Sequence, residues 1–286
     1  MPVEFAEFRL RNKDETHFHK WIDAHVKSHS VVCLIHGLMM HGKSFDLLAR
    51  QLAGDGCIVV AADLRGFGQT YQKERDSKTD YQESLEDLIA LIRFLKHEYP
   101  GLPLYCAGES LGAHLARRLG SAHPDLISGL ILSSPCIRPR MVSVPLIPHI
   151  SSEIVRTSLN PQRQVDLSPF AQQFLKVEEH NLKYYLEDPM TRKSLNVLEL
   201  IDSLLIAGSI DSCILPEEMP VFVLRGKNDC VCELSSSKRF VETLNTKNLM
   251  IYTCPSSGHL ILQSRQIQNE VLAAIKQWLH RTTRQS

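Results

Sequence analysis

Neither sign of charge dominates this chain: 32 basic residues stand against 32 acidic ones over 286 positions. No basic block breaks that balance, which speaks against electrostatic capture of nucleic acid and against a substrate chosen by bulk charge. The first residues, Met1-Pro2-Val3-Glu4-Phe5-Ala6-Glu7, lack both a basic start and an apolar centre. No uncharged apolar run approaches the roughly 20 residues that a spanning helix needs, so the expectation is a cytoplasmic protein, neither secreted nor integral to a membrane. Internal repeats and low-complexity tracts are absent. With 43% hydrophobic and 22% charged residues, the composition is that of a globular protein with ample core, and the length suits one large α/β domain or two ordinary ones. The eight cysteines show no disulfide framework. Cys33, Cys57 and Cys106 each sit singly in apolar runs, where a free thiol behaves as a small hydrophobe, as in a reducing compartment. Cys230-Val231-Cys232 is the one close pair, and without a matching second pair it reads as loop packing and not as a metal site.

What the chain does have is an alternation. Short apolar runs at 31–35, 57–61, 104–107, 129–133, 221–224 and 249–252 are separated by helix-like segments near 44–53, 79–98, 111–122, 235–244 and 265–280. Near-continuous apolar runs are what strands buried on both faces require, so the pattern predicts an α/β fold with a mostly parallel sheet covered by helices on both sides. In such sheets the chemistry gathers at the carboxyl ends of the strands. The alternation breaks between 138 and 215, a proline-rich stretch with helix-like segments near 171–186 and 195–206. That stretch is expected to be a cap over a core built from 1–137 and 216–286.

Ser110 lies in Gly108-Glu109-Ser110-Leu111-Gly112, directly after one apolar run and directly before a helix-forming one. A strand, a turn and a helix packed so closely force the serine into a strained bend that exposes its hydroxyl. A serine hydroxyl is a weak nucleophile near neutral pH and needs a base with a third group to orient it. Asp229 follows the run 221–225, and His259 follows the run 249–253, in the order serine, acid, histidine. Residues 129–140, after the intervening strand, contain neither Asp nor Glu. For the developing oxyanion, backbone N–H donors are expected from Leu111, at the start of the helix, and from Leu38, in the turn His36-Gly37-Leu38-Met39-Met40-His41-Gly42. His36, Gly37, Met39 and Glu109 flank these groups and are candidate substrate contacts. Leu146 and Ile147 in the cap are candidates to line an acyl channel or touch a lipid surface, though they equally suit the cap's own core.

The chain resembles the α/β-hydrolases of the monoacylglycerol lipase, lysophospholipase and serine aminopeptidase group. The resemblance runs from about residue 30 to residue 280 and is carried by His36-Gly37, Asp63-Leu64-Arg65-Gly66-Phe67-Gly68, Gly108-Glu109-Ser110-Leu111-Gly112, Asp188-Pro189-Met190, Gly226-Lys227-Asn228-Asp229 and Gly258-His259. It implies an eight-stranded sheet with the cap inserted after the sixth strand, a triad of Ser110, Asp229 and His259, and an oxyanion hole from Leu38 and Leu111. Residues 63–68 are implied to be structural. The chain departs from the common pattern at Glu109, where a histidine usually precedes the nucleophile, and at Leu38-Met39-Met40, where a short polar loop is usual. The expected activity is cleavage of a small-molecule acyl ester through an acyl-enzyme, with no cofactor and no metal. Peptide cleavage with Glu178, Glu179 or Glu187 gripping a free amine, acyl transfer, and an idle ligand-binding triad are the alternatives.

Overall fold

The computed structural model describes residues 3–10, 16–73, 77–135, 137, 162–174, 179–208, 213–263 and 267–284. Its sheet begins with two short strands, β1 (Glu4–Phe8) and β2 (Phe18–Ile22), and continues through β3 (Ser30–Ile35), β4 (Cys57–Ala62), β5 (Leu104–Glu109) and β6 (Gly129–Ser133). After β6 the chain leaves the sheet. Among the described residues it forms an antiparallel pair, β7 (Gln164–Asp166) with β8 (Ser194–Asn196), before returning as β9 (Val221–Gly226) and β10 (Leu249–Cys254). The eight-stranded sheet has the order β1-β2-β4-β3-β5-β6-β9-β10. Only the β1–β2 and β2–β4 pairings are antiparallel; the other five are parallel.

Every residue of β3, β4, β5 and β6 is buried, which is why these runs carry no polar alternation. Along β3, Val31, Cys33 and Ile35 pack with Leu88, Leu91 and Leu95 of helix 81–98 and with Leu115 and Leu119 of helix 111–122. Val32 and Leu34 point the other way, onto Leu48 and Leu52 of helix 46–53 and Ile275 and Trp278 of helix 269–283. Burying each such side chain contributes about 1.5–3 kcal/mol, so each face of the sheet stabilises the fold independently.

In chain order the helices are α1 (Asp46–Ala53), α2 (Gly68–Lys73), α3 (Tyr81–Glu98), α4 (Leu111–Ala122), α5 (Ser168–Phe174), α6 (Glu179–Glu187), α7 (Val197–Gly208), α8 (Leu234–Glu242) and α9 (Asn269–Thr283). Between β6 and β9, α7 is anchored by its polar side. Ser203 Oγ lies 2.7 Å from Tyr81 Oη, and Glu199 takes both Arg192 Nη2 contacts at 2.8 and 3.0 Å. Arg192 also donates to Gly66 O, and Glu199 accepts from the Thr79 amide. A buried pair satisfied on both sides in this way locks the segment 192–199 to the loops of the core.

One expectation about cysteine is corrected. Cys33, Cys57, Cys106, Cys213, Cys230 and Cys254 are free thiols, but Cys232 is disulfide-bonded. Cys232 lies in the loop between β9 and α8, and nothing in its local sequence sets it apart from the free thiol Cys230. Among the described residues no helix is long and apolar enough to cross a membrane.

Candidate active site

β5 ends at Glu109 and α4 begins at Leu111, leaving Ser110 alone to turn the chain, with φ 56° and ψ −116°. For a residue other than glycine this backbone costs on the order of 1–3 kcal/mol and persists only where surrounding contacts enforce it. The Ser110 amide donates to Ser133 O at 2.9 Å. The flanking glycines are needed because the backbones nearly touch: a Cβ on Gly108 would lie 2.1 Å from Gly112 O, and one on Gly112 would lie 2.1 Å from Ile35 O.

The loops after β9 and β10 bring Asp229 and His259 together. Asp229 Oδ1 accepts from the amides of Val231 and Cys232, both at 2.8 Å, and its Oδ2 lies 2.8 Å from His259 Nδ1. Both side chains are buried. The imidazole therefore carries its proton on Nδ1 against the carboxylate, which leaves Nε2 as a base.

Glu109 is not a substrate contact. It is completely buried, and its Oε1 accepts from the Ser133 hydroxyl and the amides of Ile261 and Leu262, while Oε2 accepts from the amide of Gln263. The residue before the serine thus clamps the segment that follows His259. Burial pushes the Glu109 carboxyl above its usual range, with the three amides and His259 pulling the other way. A second tie runs from the Ser134 hydroxyl to the His259 carbonyl at 2.6 Å.

His36 is likewise scaffold. It is fully buried, accepts from the Leu64 amide at Nε2 (3.0 Å) and donates from Nδ1 to Gly37 O (2.8 Å). Both ring nitrogens are used by the neutral form, and burial lowers its pKa to about 4. The unfolded chain takes up this proton near pH 6.5, so folding stability is complete above pH 6.5 and is lost as the pH falls towards 4. The loss expected from His36 alone is about 3 kcal/mol at pH 4. Burial would raise the carboxyls of Asp63 and Asp188, but hydrogen bonds from His19 and His41, respectively, bring both below 3.8, so their contributions fade only in stronger acid. Urea unfolding between pH 7 and 4 is expected to show a flatter pH slope in His36→Asn than in the parent; parallel slopes would assign the proton elsewhere.

Past Gly37, the Met40 amide returns to Gly37 O at 3.2 Å and Met39 takes φ 70°, so a methionine occupies a turn position that favours glycine. Two contacts from residues 188–192 hold this turn: the Arg192 amide donates to Met39 O at 2.9 Å, and His41 Nε2 lies 3.2 Å from Asp188 Oδ2. Met39 is itself buried and Leu38 half-buried against the core. The Leu111 amide, first in α4, has no acceptor within its own helix. Asp63 accepts from the Gly42 and Gln69 amides and lies 3.1 Å from His19 Nε2, which makes 63–68 a structural loop beneath this turn. Leu146 and Ile147 lie outside the described residues.

Among the described residues two groups bring three potential metal ligands within 4.8 Å of one another: Asp229, Cys232 and His259, and His29, Asp55 and His280. In the first the sulfur is in a disulfide and the other two are hydrogen-bonded to each other. In the second, Asp55 is engaged by His280 and Lys276. The sequence carries no sign of the roles of Gln263, whose Oε1 accepts from the Gly37 amide at 3.1 Å, or of the Arg192–Glu199 pair. Nothing local marks either one.

The serine aminopeptidase, S33 family matches residues 26–266. The human monoglyceride lipase is 22% identical over 256 residues, covering 89% of this chain and 83% of that protein. A monoacylglycerol lipase of Mycolicibacterium smegmatis is 22% identical over 251 residues, 87% of each chain. The crystal structure of a soluble variant of monoglyceride lipase from Saccharomyces cerevisiae, in complex with a substrate analogue, superposes with a TM-score of 0.76 at 20% identity, covering 98% of this chain and 96% of that one. The chain therefore belongs to the serine aminopeptidase, S33 family, as an α/β-hydrolase similar to the monoglyceride lipases.

Proposed function

We propose that this protein is a serine ester hydrolase of the monoacylglycerol lipase type that works through an acyl-enzyme on Ser110. The observation that carries the reading is the 2.8 Å contact between Asp229 and His259 in a loop clamped by the residue next to Ser110. His259 removes the Ser110 proton as the oxygen attacks the ester carbonyl carbon. The amides of Leu38 and Leu111 take the developing oxyanion. His259 then protonates the departing alkoxide, and water, deprotonated by the same imidazole, releases the acid. Relatives and structural neighbours named as lipases favour an ester over a peptide. Glu199, a buried acid in the segment between β6 and β9, is committed to Arg192 and is not free to hold an amine.

Residues 138–215 serve in this reading as a lid that contacts lipid. The support is that α7 is built inside out: Glu199 and Ser203 face the protein, whereas Leu198, Ile201 and Leu204 are 40–49% exposed on a stripe with a spacing of three. An apolar stripe turned to solvent suits an interface with acyl chains. The double variant Leu198→Ser with Ile201→Ser is expected to hydrolyse emulsified monooleoylglycerol about tenfold more slowly, while p-nitrophenyl acetate cleavage stays within twofold. Equal losses on both substrates would reduce the stripe to a packing surface. Failure of the parent protein to cleave any ester of a broad panel would remove the hydrolase reading.

A further inference from the structure

Gln263 is completely buried, and all but one of its polar groups are committed to a different part of the site. Its amide N–H donates to Glu109 Oε2 at 2.9 Å. Its carbonyl accepts from the hydroxyl of Tyr185 in α6, and its Oε1 accepts from the Gly37 amide at 3.1 Å. Nε2 has no hydrogen-bond partner among the described residues. Burying an idle amide donor costs about 1–3 kcal/mol, whereas an apolar side chain of the same length would cost nothing there. Space filling therefore does not explain a glutamine, but the Oε1 acceptor does, because it is what holds Gly37.

Gly37 opens the turn that presents the Leu38 amide. A Cβ placed on it would meet Glu109 O at 3.2 Å and Ser110 Cβ at 3.4 Å, so the turn rests directly on the nucleophile's backbone. Any displacement of Gly37 is a displacement of the donor relative to Ser110. The turn also holds Met39 at φ 70°, a conformation that needs contacts from outside to persist.

We propose that Gln263 is a positioning residue for ester cleavage: it fixes the turn bearing the Leu38 amide against Ser110 and, through Tyr185, ties that turn to α6. This role rests on the hydrolase mechanism proposed above. A preorganised oxyanion donor is worth about 10²–10³ in kcat, and loosening one instead of deleting it is expected to sacrifice about 10 to 100-fold. KM is expected to stay within about threefold, because the ground-state ester makes little use of the oxyanion position.

The test is steady-state kinetics on p-nitrophenyl butyrate with Gln263→Met and Tyr185→Phe, each normalised to the number of sites titrated by a fluorophosphonate. Gln263→Met is expected to lose 10 to 100-fold in kcat per titrated site with KM nearly constant, and Tyr185→Phe about 3 to 10-fold in the same sense. Unchanged kcat per titrated site in Gln263→Met, with any lost activity tracking a lower Tm, would make the residue merely structural and overturn the proposal. Wild-type kcat in Tyr185→Phe would overturn the link to α6. A parent protein that turns over and titrates at Ser110 confines any such failure to Gln263, whereas a parent that does not titrate overturns the hydrolase mechanism and the proposal with it.

Discussion

Ser110→Ala is expected to lower kcat for ester hydrolysis by at least about 10⁴-fold and to abolish labelling by a fluorophosphonate, with little change in Tm. Losing the nucleophile of a serine hydrolase removes the covalent route altogether, and losses near 10⁶ are known where binding and the oxyanion donors supply what remains. Stability is expected to hold because alanine meets the same backbone strain at φ 56° and deletes only an oxygen. Ser110→Gly, free of that strain, is expected to raise Tm, since the chain no longer holds a side chain in the left-handed region. Such opposite movement of stability and activity marks a residue kept in a costly conformation for its chemistry. Mass spectrometry of the labelled parent locates the adduct, and undiminished labelling of Ser110→Ala would refute the assignment.

The same residues show how far a chain can be read before it is folded. The parallel strands were legible because burial on both faces leaves continuous apolar runs such as Val31 to Ile35. β1 and β2 were not, because Glu-Phe-Ala-Glu-Phe and Phe-His-Lys-Trp-Ile carry polar residues at the antiparallel end of the sheet, where β1 is an edge strand. Ser110, Asp229 and His259 stand out as candidates because each follows a strand and strand ends share one edge, and the structure brings Asp229 and His259 into contact. Glu109 and His36 looked like substrate contacts for the same reason, since each neighbours a group expected to act. What assigns them to the scaffold is their partners: the amides of 261–263 for Glu109 and that of Leu64 for His36. Those partners are 152 to 154 residues and 28 residues away in sequence, and no local pattern encodes them. Gln263 is illegible in the sequence for the same reason, since its significance lies in its contacts with Gly37, Glu109 and Tyr185.

Asp229→Asn is expected to reduce kcat/KM by about 10⁴-fold at neutral pH while the fold stays intact. The replacement is isosteric, so its effect depends on which way the amide turns. With its oxygen towards Val231 and Cys232, the asparagine keeps both 2.8 Å bonds that Asp229 Oδ1 now accepts. Turned the other way, it would point an NH₂ at two backbone N–H groups, leaving both buried donors unpaired at about 1–3 kcal/mol each. The first orientation wins, and it aims the NH₂ at His259 Nδ1. That nitrogen must then accept, which moves the imidazole proton to Nε2, the atom that has to receive the serine proton. A histidine in this tautomer is no base towards Ser110, and it has lost the charge that stabilises the imidazolium formed on attack. The two backbone donors that make Asp229 a good carboxylate site thus make asparagine a poor substitute. An active-site titration beside the kinetics separates slow chemistry from lost protein. A drop of less than tenfold, with sites fully titrated, would mean that His259 draws its orientation from elsewhere.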